Sequence, residues 1–506
     1  MSDKYLYEKL TEYGRTDSYP FHMPGHKRRL GGMADPYFFD ITEIDGFDNL
    51  HHAEGILLEA QRRAARLYGA EETYFLVNGS TAGILSAVGA CLPSGKILMA
   101  RNCHKAAYHA VFLNHLEAEY LYPRMDGRIS CDQVETALDA DPQIGAVFIT
   151  SPTYDGIVSD VKAIAAAAHR HGIPLIVDSA HGAHFGMHPI FPENAVKQGA
   201  DLVIHSVHKT LPSLTQTALL HVGGSLTDRR RLKKMLGIYQ TSSPSYVLMA
   251  AIDECVRILE EQGRQLFETF AGYLENFWSQ MDGLQVLEAI RTDDPSKIVI
   301  GVGSSGMTGL ELSDLFRERW HLEMEMAAVT YVLALTSVGD DEDGFERLAQ
   351  AVLQLDWELA VNRTQKEAAD VGLTVQKCGK ERKVCEKTGR AQNSKAQNGR
   401  EQNSGLAEYE EIGQKLNGEW IQAEAVMTIA EAENSTQTWI PMDESAGRIS
   451  GEYIYLYPPG IPLTVPGERI SRELLEQLQE CRVQGYSLQG MEDYNMKYLW
   501  IVEEKQ

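Results

Sequence analysis

The feature that most limits the fold of this chain is a series of short apolar runs that alternate with helical patterns. The runs are rich in β-branched residues and almost continuously apolar. They are Thr73–Val77, Lys96–Ala100, Ala146–Thr150, Pro174–Val177, Asp201–His205 and Ala218–Val222. Strands of this kind are buried on both faces, which is typical of a mostly parallel sheet covered by helices. We therefore expect an α/β fold with a ligand site at the carboxyl ends of the strands.

The rest of the 506-residue chain divides into smaller parts. We predict an N-terminal arm at 1–50, the large domain at 51–285, a small α+β domain at 286–365 and a C-terminal α+β domain at 419–506. Residues 366–418 differ, because the stretch 376–404 has no aromatic residue, few aliphatic ones and a near-repeat, GRAQNS and GREQNS. Such a composition buries too little apolar surface to fold, so we expect a flexible linker or insertion there.

The composition argues against several classes of protein. A formal net charge of −24 disfavours a nucleic-acid partner, because such a partner needs a basic surface. Seven cysteines without a CxxC pair indicate neither a disulfide framework nor a zinc ribbon, and they fit the reducing cytoplasm. The N-terminus lacks the apolar core of a signal peptide, and no run of about 18 apolar residues occurs, so we expect no contact with a membrane.

Lys209 stands in the segment SVHKT, directly after the apolar run Asp201–His205. Lysine side chains usually extend into solvent, so packing explains poorly a lysine at the end of a buried strand, between Ser206 and Thr210. A lysine in such a place can form a Schiff base with a carbonyl compound. We hypothesise that Lys209 binds pyridoxal 5'-phosphate in this way.

Other residues at strand ends fit this hypothesis. Asp178 follows the run Pro174–Val177, where an ionised carboxylate is costly unless it meets a cation such as a pyridinium nitrogen. Ser80 and Thr81 open a helix, whose free N–H groups suit a phosphate. The imidazole of His104 can stack on a flat ring. Each residue also has a structural alternative, which is a turn-capping aspartate, a helix N-cap and a core histidine respectively.

A metal site is the competing interpretation of the histidines. His181, His184 and His188 lie close together in the sequence, and His104 and His109 are also near each other. Such clusters can bind zinc. However, the first group carries two glycines and directly follows a strand, so no regular helix presents its imidazoles together, and no HExxH pattern occurs. We therefore expect no metal.

Seven motifs in this order resemble the ornithine/lysine/arginine decarboxylase family, a bacterial group of fold-type I pyridoxal-phosphate enzymes. They are HMPGHKR (22–28), NGST (78–81), RNCHK (101–105), DSAHGAHFG (178–186), SVHKTLPSLTQTA (206–218), TSSPSY (241–246) and YPPGIPLTVPGE (457–468). The resemblance covers nearly the whole chain except about 365–425. It implies a fold-type I, transferase-like large domain with a mostly parallel sheet, a smaller α+β domain and a C-terminal α+β unit.

The resemblance also implies roles around the cofactor ring. Lys209 is the Schiff-base lysine, Asp178 pairs with the pyridinium nitrogen and His104 stacks on the ring face. His208 lies next to the imine and is a candidate proton donor. His181 takes the place where longer relatives often carry an aromatic residue, and it is counted among the cofactor-binding residues.

For the cofactor phosphate, the resemblance implies the hydroxyls of Ser80, Thr81 and Ser206. A further hydroxyl comes from the partner subunit in family members, which here is Ser242 or Ser243. We therefore expect a homodimer with composite active sites. The chain resembles the shorter form of the family, without an N-terminal wing domain, so assembly into decamers through wings is not expected.

The expected reaction is decarboxylation of arginine, lysine or ornithine to the corresponding amine and carbon dioxide, in polyamine metabolism. Transamination and β-elimination are alternatives, because the same lysine and aspartate serve these reactions too. A catalytically silent, regulatory homologue is a third hypothesis. The distal cation of a basic substrate needs an acidic partner. The sequence does not identify it: the C-terminal unit offers Glu444, Glu452 and Glu468, and an exposed surface acid is the favoured interpretation of each.

Overall fold

The computed structural model describes residues 10, 13–30, 35–38, 40–370, 421–457, 460–483 and 487–504. They form three units with separate sheets, here called the large unit (40–280), the small unit (281–370) and the C-terminal unit (421–504). The predicted linker lies outside the described residues beyond Asp370, so its flexibility stays a prediction.

The large unit is built on one sheet of seven strands. After a short strand in the N-terminal arm, β1 (Tyr19–Phe21), these strands are β2 (Glu72–Leu76), β3 (Lys96–Ala100), β4 (Glu117–Leu121), β5 (Ile144–Thr150), β6 (Leu175–Asp178), β7 (Leu202–His205) and β8 (Ala218–Val222). Their spatial order is β2-β8-β7-β6-β5-β3-β4. β8 runs in the direction opposite to the other six strands, which are parallel to one another, and this confirms the predicted, mostly parallel sheet.

Helices cover both faces of this sheet. They are α1 (Ile56–Tyr68), α2 (Gly79–Cys91), α3 (Lys105–Leu113), α4 (Cys131–Ala140), α5 (Val161–Arg170), α6 (Val207–Thr210), α7 (Arg229–Tyr239) and α8 (Tyr246–Gln280). Adjacent strand residues point to opposite faces, so Leu76 and Leu220 join the core under α2, whereas Phe75 and Leu219 join the core under α8. Burial on both faces explains why these strands are almost continuously apolar.

The small unit has a four-stranded antiparallel sheet in the order β12-β13-β10-β9. Its strands are β9 (Glu288–Ile290), β10 (Lys297–Gly301), β11 (Leu322–Met324), β12 (Met326–Ala327) and β13 (Tyr331–Leu335), and its helices are α9 (Gly309–Trp320) and α10 (Glu342–Asp370). β11 lies outside this sheet and pairs in parallel with β1, which joins the N-terminal arm to the small unit.

The C-terminal unit has two antiparallel sheets of three strands, in the orders β14-β19-β15 and β17-β16-β18. The strands are β14 (Gln437–Pro441), β15 (Ile449–Ser450), β16 (Ile454–Leu456), β17 (Ile461–Thr464), β18 (Leu488–Gln489) and β19 (Tyr498–Val502), and the helices are α11 (Ile429–Glu433) and α12 (Arg472–Val483). In the part of the chain that the structure covers, no helix has both the length and the apolar character needed to cross a lipid bilayer.

A buried ion pair fastens the C-terminal unit to the large unit. Arg101 directly follows β3 and is 1% exposed, and its guanidinium donates to Glu468, which is 2% exposed, at 2.9 Å and to the Leu463 carbonyl at 3.1 Å. Glu468 also accepts the Val465 N–H at 3.1 Å. The ring of Tyr120 lies 4.8 Å from the guanidinium carbon, which adds a cation–π contact. The end of β3 is therefore held against the C-terminal unit.

We expect Glu468→Gln to destabilise the protein strongly. The substitution keeps the shape of the side chain but leaves the buried Arg101 charge unpaired, which costs about 3–5 kcal/mol. The midpoint of thermal unfolding, followed by circular dichroism, should fall clearly. The matched control is Glu424→Gln, which breaks the exposed pair between Glu424 and Arg469 at 3.2 Å and should cost less than about 1 kcal/mol. Equally small shifts for both variants would contradict this role of the buried pair.

Candidate active site

A cavity of about 1360 Å³ lies where the three units meet. Residues that follow β3, β5, β6 and β7 line one side, and segments of the small unit and the C-terminal unit line the others. The strands that contribute are parallel neighbours, so their carboxyl ends share one edge of the sheet. This is the position that the strand pattern predicts for a ligand site.

Lys209 projects into the cavity from α6, the single helical turn that follows β7. Its Nζ lies 2.8 Å from Nε2 of His181. Removal from water lowers the pKa of Lys209 to about 8, and the negative charges of Asp178 and Glu325 oppose this shift. An amine with this pKa is neutral in a much larger fraction at physiological pH than an ordinary lysine, which makes it a better nucleophile.

Asp178 is the last residue of β6 and is 3% exposed. Its Oδ1 accepts the Ala180 N–H at 3.1 Å. Burial raises the pKa of the Asp178 carboxyl, and the charge of Lys209 and the hydrogen bond from Ala180 lower it. Within the described ranges Asp178 forms no ion pair at contact distance, so a cationic ligand atom would relieve the cost of its burial.

His104 is the N-cap of α3, and its Nδ1 accepts the Ala106 N–H at 3.2 Å. Burial, assisted by the charges of Lys209 and Lys105, lowers the pKa of His104 to about 3, so the imidazole is neutral with its proton on Nε2. Gly460 of the C-terminal unit lies against this ring. A Cβ at Gly460 would lie 3.2 Å from Cδ2 of His104, and the φ angle of +91° also favours glycine there.

Three hydroxyls and a helix N-terminus meet at one end of the cavity. Ser80 lies in the first turn of α2 and its hydroxyl is hydrogen-bonded to the hydroxyl of Ser206, which is the N-cap of α6. Thr81 lines the cavity beside them. Backbone N–H groups at the start of α2 and these hydroxyls form a cradle that suits an anion such as a phosphate.

His208 lies next to Lys209 and its Nδ1 donates to the Thr217 carbonyl at 2.8 Å. Burial lowers the pKa of His208 to about 4, although the hydrogen bond to Thr217 opposes the shift. The neutral ring therefore carries its proton on Nδ1, and Nε2 can accept a proton. A role as proton donor requires that Nε2 first takes up a proton.

His181 and Tyr154 form the wall next to Lys209. The two ring centroids lie 4.6 Å apart, and Nδ1 of His181 is buried without a hydrogen-bond partner among the described residues. Burial and the nearby charge of Lys209 lower the pKa of His181 well below its usual value. Tyr154 was missed in the sequence, although its place shortly after the end of β5 is a signal that could have found it.

Ser242 and Ser243 do not join this cluster in their own chain. They are exposed in the loop before α8 and do not line the cavity. The N–H of the preceding Thr241 donates to Oδ1 of Asn78 at 3.3 Å, so the loop lies at the entrance to α2. Their contribution to a partner's cavity stays a prediction.

The three acids considered for the substrate's distal cation do not line this cavity. Glu444 is exposed, Glu452 accepts the N–H groups of Glu492 and Trp500, and Glu468 is paired with Arg101. Within this chain the three acids are therefore not placed to meet a substrate in the cavity, because Glu444 lies in solvent and the carboxylates of Glu452 and Glu468 have structural partners. The acids that do line the cavity are Asp126, Asp155, Asp178, Glu325 and Glu473.

The clustered histidines serve separate contacts. Nε2 of His184 lies 3.1 Å from Asp294, and Nε2 of His188 lies 3.2 Å from Glu268. Among the residues whose placement is described, no group of three or more His, Cys, Asp and Glu side chains is arranged to hold a metal ion.

The fold resembles that of solved amino-acid decarboxylases. Lysine decarboxylase A from Pseudomonas aeruginosa superposes with a TM-score of 0.68 and 20% identity, over 91% of this chain and 73% of that chain. The constitutive lysine decarboxylase of Escherichia coli superposes with a TM-score of 0.65 and 19% identity, over 89% of this chain and 74% of that chain. At these identities the likeness establishes the fold, which is the fold-type I architecture predicted from the sequence.

The sequence matches the Orn/Lys/Arg decarboxylase major domain over residues 5–332 and the C-terminal domain of the same family over residues 415–493. An arginine decarboxylase from Bacillus anthracis is 29% identical over 526 residues, which span 99% of this chain and 97% of that protein. The uncharacterised protein YaaO of Bacillus subtilis (strain 168) is 32% identical over 531 residues, 99% of each chain. The chain belongs to the Orn/Lys/Arg decarboxylase family, whose members are pyridoxal-phosphate-dependent carboxy-lyases.

The environment of Lys209 predicts unusual reactivity toward amine reagents. In the cofactor-free protein, labelling of Lys209 by acetic anhydride should rise with pH around a midpoint near 8, because only the neutral amine reacts. Asp178→Asn should lower this midpoint, since it removes a negative charge that favours the protonated amine. Mass spectrometry of the labelled peptides measures both values. Lys96, whose pKa is raised by Asp141 and Glu117, is the internal control. A midpoint for Lys209 near the ordinary value of about 10.4 would contradict this account.

Proposed function

We propose that the protein decarboxylates a basic L-amino acid (arginine, lysine or ornithine) to its amine and carbon dioxide, with pyridoxal 5'-phosphate bound to Lys209. The observation that carries the proposal is the arrangement of Lys209, Asp178 and His104 at one edge of the sheet, in a chain of this family. Relatives named arginine decarboxylase and lysine decarboxylase support the class of substrate.

The residues present fit pyridoxal phosphate in charge and shape. The cradle of Ser80, Thr81 and Ser206 at the start of α2 suits its phosphate. The buried carboxylate of Asp178 suits its pyridinium nitrogen, because that contact gives the acid the cation it lacks. The neutral ring of His104, backed by Gly460, suits a stacking position against one face of the cofactor.

Pyridoxal phosphate, when bound, supplies the electron sink that stabilises the carbanion left by loss of carbon dioxide. Asp178 favours the protonated state of the ring nitrogen through its negative charge. Lys209 holds or releases a proton at Nζ near physiological pH, as suits general acid–base catalysis. His208 accepts a proton at Nε2, and His181, at 2.8 Å from Nζ, orients the lysine.

The protein is further proposed to act as a homodimer. The N-terminal arm presents two large aromatic side chains to solvent, Tyr37 at 89% exposure and Phe38 at 87%. Packing against a second copy of the chain would remove these two rings from water, which favours association. Ser242 and Ser243, which lie outside the cavity of their own chain, are then free to reach the phosphate cradle of the partner.

The protein is further proposed to serve polyamine metabolism in the cytoplasm, because its proposed products are amines and its cysteines fit a reducing compartment. The cysteines of the described residues, Cys91, Cys103, Cys131, Cys255 and Cys481, are free thiols. Free thiols are typical of a reducing compartment.

Lys209→Ala tests the proposed reaction. The purified wild type should absorb visible light through its bound cofactor and release carbon dioxide from arginine, lysine or ornithine. The variant should lose that absorption band, and carbon dioxide release should fall by more than about 10³-fold, since the nucleophile is absent. Lys162→Ala, at an exposed lysine of α5, should change neither quantity. A keto acid in place of carbon dioxide and amine would contradict decarboxylation.

Sedimentation equilibrium tests the dimer. The wild type should sediment at twice the 56.4 kDa mass of one chain. The double variant Tyr37→Glu/Phe38→Glu should shift toward single chains and retain the cofactor less well, because each site would lose the partner's hydroxyls. Tyr494→Glu alters an aromatic residue of similar exposure, 82%, in the C-terminal unit and should leave the mass unchanged. A wild type that sediments as a single chain at all concentrations would refute the dimer.

A further inference from the structure

Glu325 is a cavity acid whose hydrogen-bond partners are both neutral. It lies between β11 and β12 and faces the same cavity as Lys209. It accepts hydrogen bonds from the Tyr154 hydroxyl and, at 2.8 Å, from the Met23 N–H. Burial raises the pKa of Tyr154, so its phenol keeps the proton that it donates. No ion pair joins Glu325 to a lysine, arginine or histidine within the described parts of the chain.

The buried lysines around the cavity have carboxylates of their own. Lys27 lies 3.9 Å from Asp340, and Lys297 lies 3.8 Å from Asp294. Lys209 is the residue that the proposed function assigns to the cofactor. The charge of Glu325 opposes the lowering of the pKa values of Lys27, Lys209 and Lys297, but it does so from beyond ion-pair distance. Among the described residues no cation contacts the half-buried Glu325 carboxylate, so it can still bind a cationic ligand directly.

Other acids on the cavity wall are less suited to this role. Asp126 is already paired with Arg128 at 2.8 Å. Glu473 lies on the exposed first turn of α12, where water screens its charge. Asp155 accepts the hydroxyl of Thr153 at 2.5 Å within its own turn. Glu325 differs from them because two neutral donors from separate units fix its carboxylate.

We propose that Glu325 binds the distal cation of the substrate, and this inference rests on the proposed function. Nζ of Lys209 lies 2.8 Å from Nε2 of His181, and the His181 ring packs against the ring of Tyr154. The Tyr154 hydroxyl in turn donates to Glu325. The rings of His181 and Tyr154 thus form a continuous wall between the amine and the acid. A carboxylate has about four acceptor positions, so two stay available for an ammonium or guanidinium group.

The surroundings of Glu325 suit the methylene groups of such a substrate. Ile290, Val299 and Met326 line the cavity and pack in one cluster with Tyr154, whose hydroxyl binds Glu325. Apolar walls next to a single oriented charge bind a side chain that is aliphatic along its length and cationic at its tip. The distal cation takes no part in bond breaking, so its contact stabilises bound substrate and transition state alike. Loss of Glu325 should consequently act on KM more than on kcat.

Glu325→Gln tests this assignment in the holoenzyme. With the preferred basic amino acid, kcat/KM should fall roughly 10- to 100-fold, mainly through KM, as expected for the loss of one charge-assisted contact. The neutral counterparts are citrulline for arginine, norleucine for lysine and norvaline for ornithine. Their kcat/KM should change less than threefold. Calorimetric titration with the product amine, without turnover, should show weaker binding by a similar factor.

The matched control is Glu473→Gln, which removes a second cavity acid and should leave both kinetics and amine binding unchanged. The visible absorption of bound cofactor should be the same in all three proteins. Equal losses for the basic and neutral amino acids in Glu325→Gln would overturn the assignment, because they would indicate a structural role. An unchanged preference for the basic amino acid would overturn it too. A wild type that binds cofactor but decarboxylates none of the three basic amino acids would instead refute the proposed function.

Discussion

The removal of a lysine amine from water is the constraint on which the site depends. Lys209 is held on a single turn after β7, where burial lowers its pKa to about 8 and the charges of Asp178 and Glu325 partly compensate. An isolated buried ammonium is strongly unfavourable, so its surroundings must supply negative charge. In a parallel sheet the ends of neighbouring strands lie side by side. The ends of β6 and β7 therefore bring the negative charge of Asp178 close to Lys209 at the same edge of the sheet.

The C-terminal unit completes the site that the sheet begins. The buried pair of Arg101 and Glu468 holds it at the end of β3, only a few residues before His104. That proximity allows Gly460 to lie against the His104 ring, while its carbonyl accepts the Lys105 N–H at 3.1 Å. Glu468, a candidate partner for a substrate cation, thus has a structural task, which is to hold the C-terminal unit against His104, the residue proposed to stack on the cofactor.

A structural feature can be predicted from the sequence when neighbouring residues alone determine it. The strands of the large sheet are predictable because both of their faces are buried, and Lys209, Asp178 and His104 stand out because they lie at a strand end or shortly after one. β4 was missed, since its sequence EAEYL is charged and only Leu121 is buried. Glu325 was missed for another reason. It lies in an alternating segment, LEMEM, and only the packing of the small unit and the N-terminal arm brings it to the cavity.

The charge balance of the cavity connects these observations. Lys27 and Lys297 each have another carboxylate within ion-pair distance, and Asp178 would balance the cofactor ring. Glu325 acts on the buried lysines only from a longer distance, so its carboxylate can take a cation that arrives with the substrate. Decarboxylation removes the α-carboxylate but keeps the distal cation, so Glu325 would hold substrate and product with similar strength. Such a contact selects which amino acid enters without favouring the reaction step itself. In this proposal, Glu325 of the small unit selects the amino acid, whereas Lys209 at the edge of the large sheet takes part in the reaction.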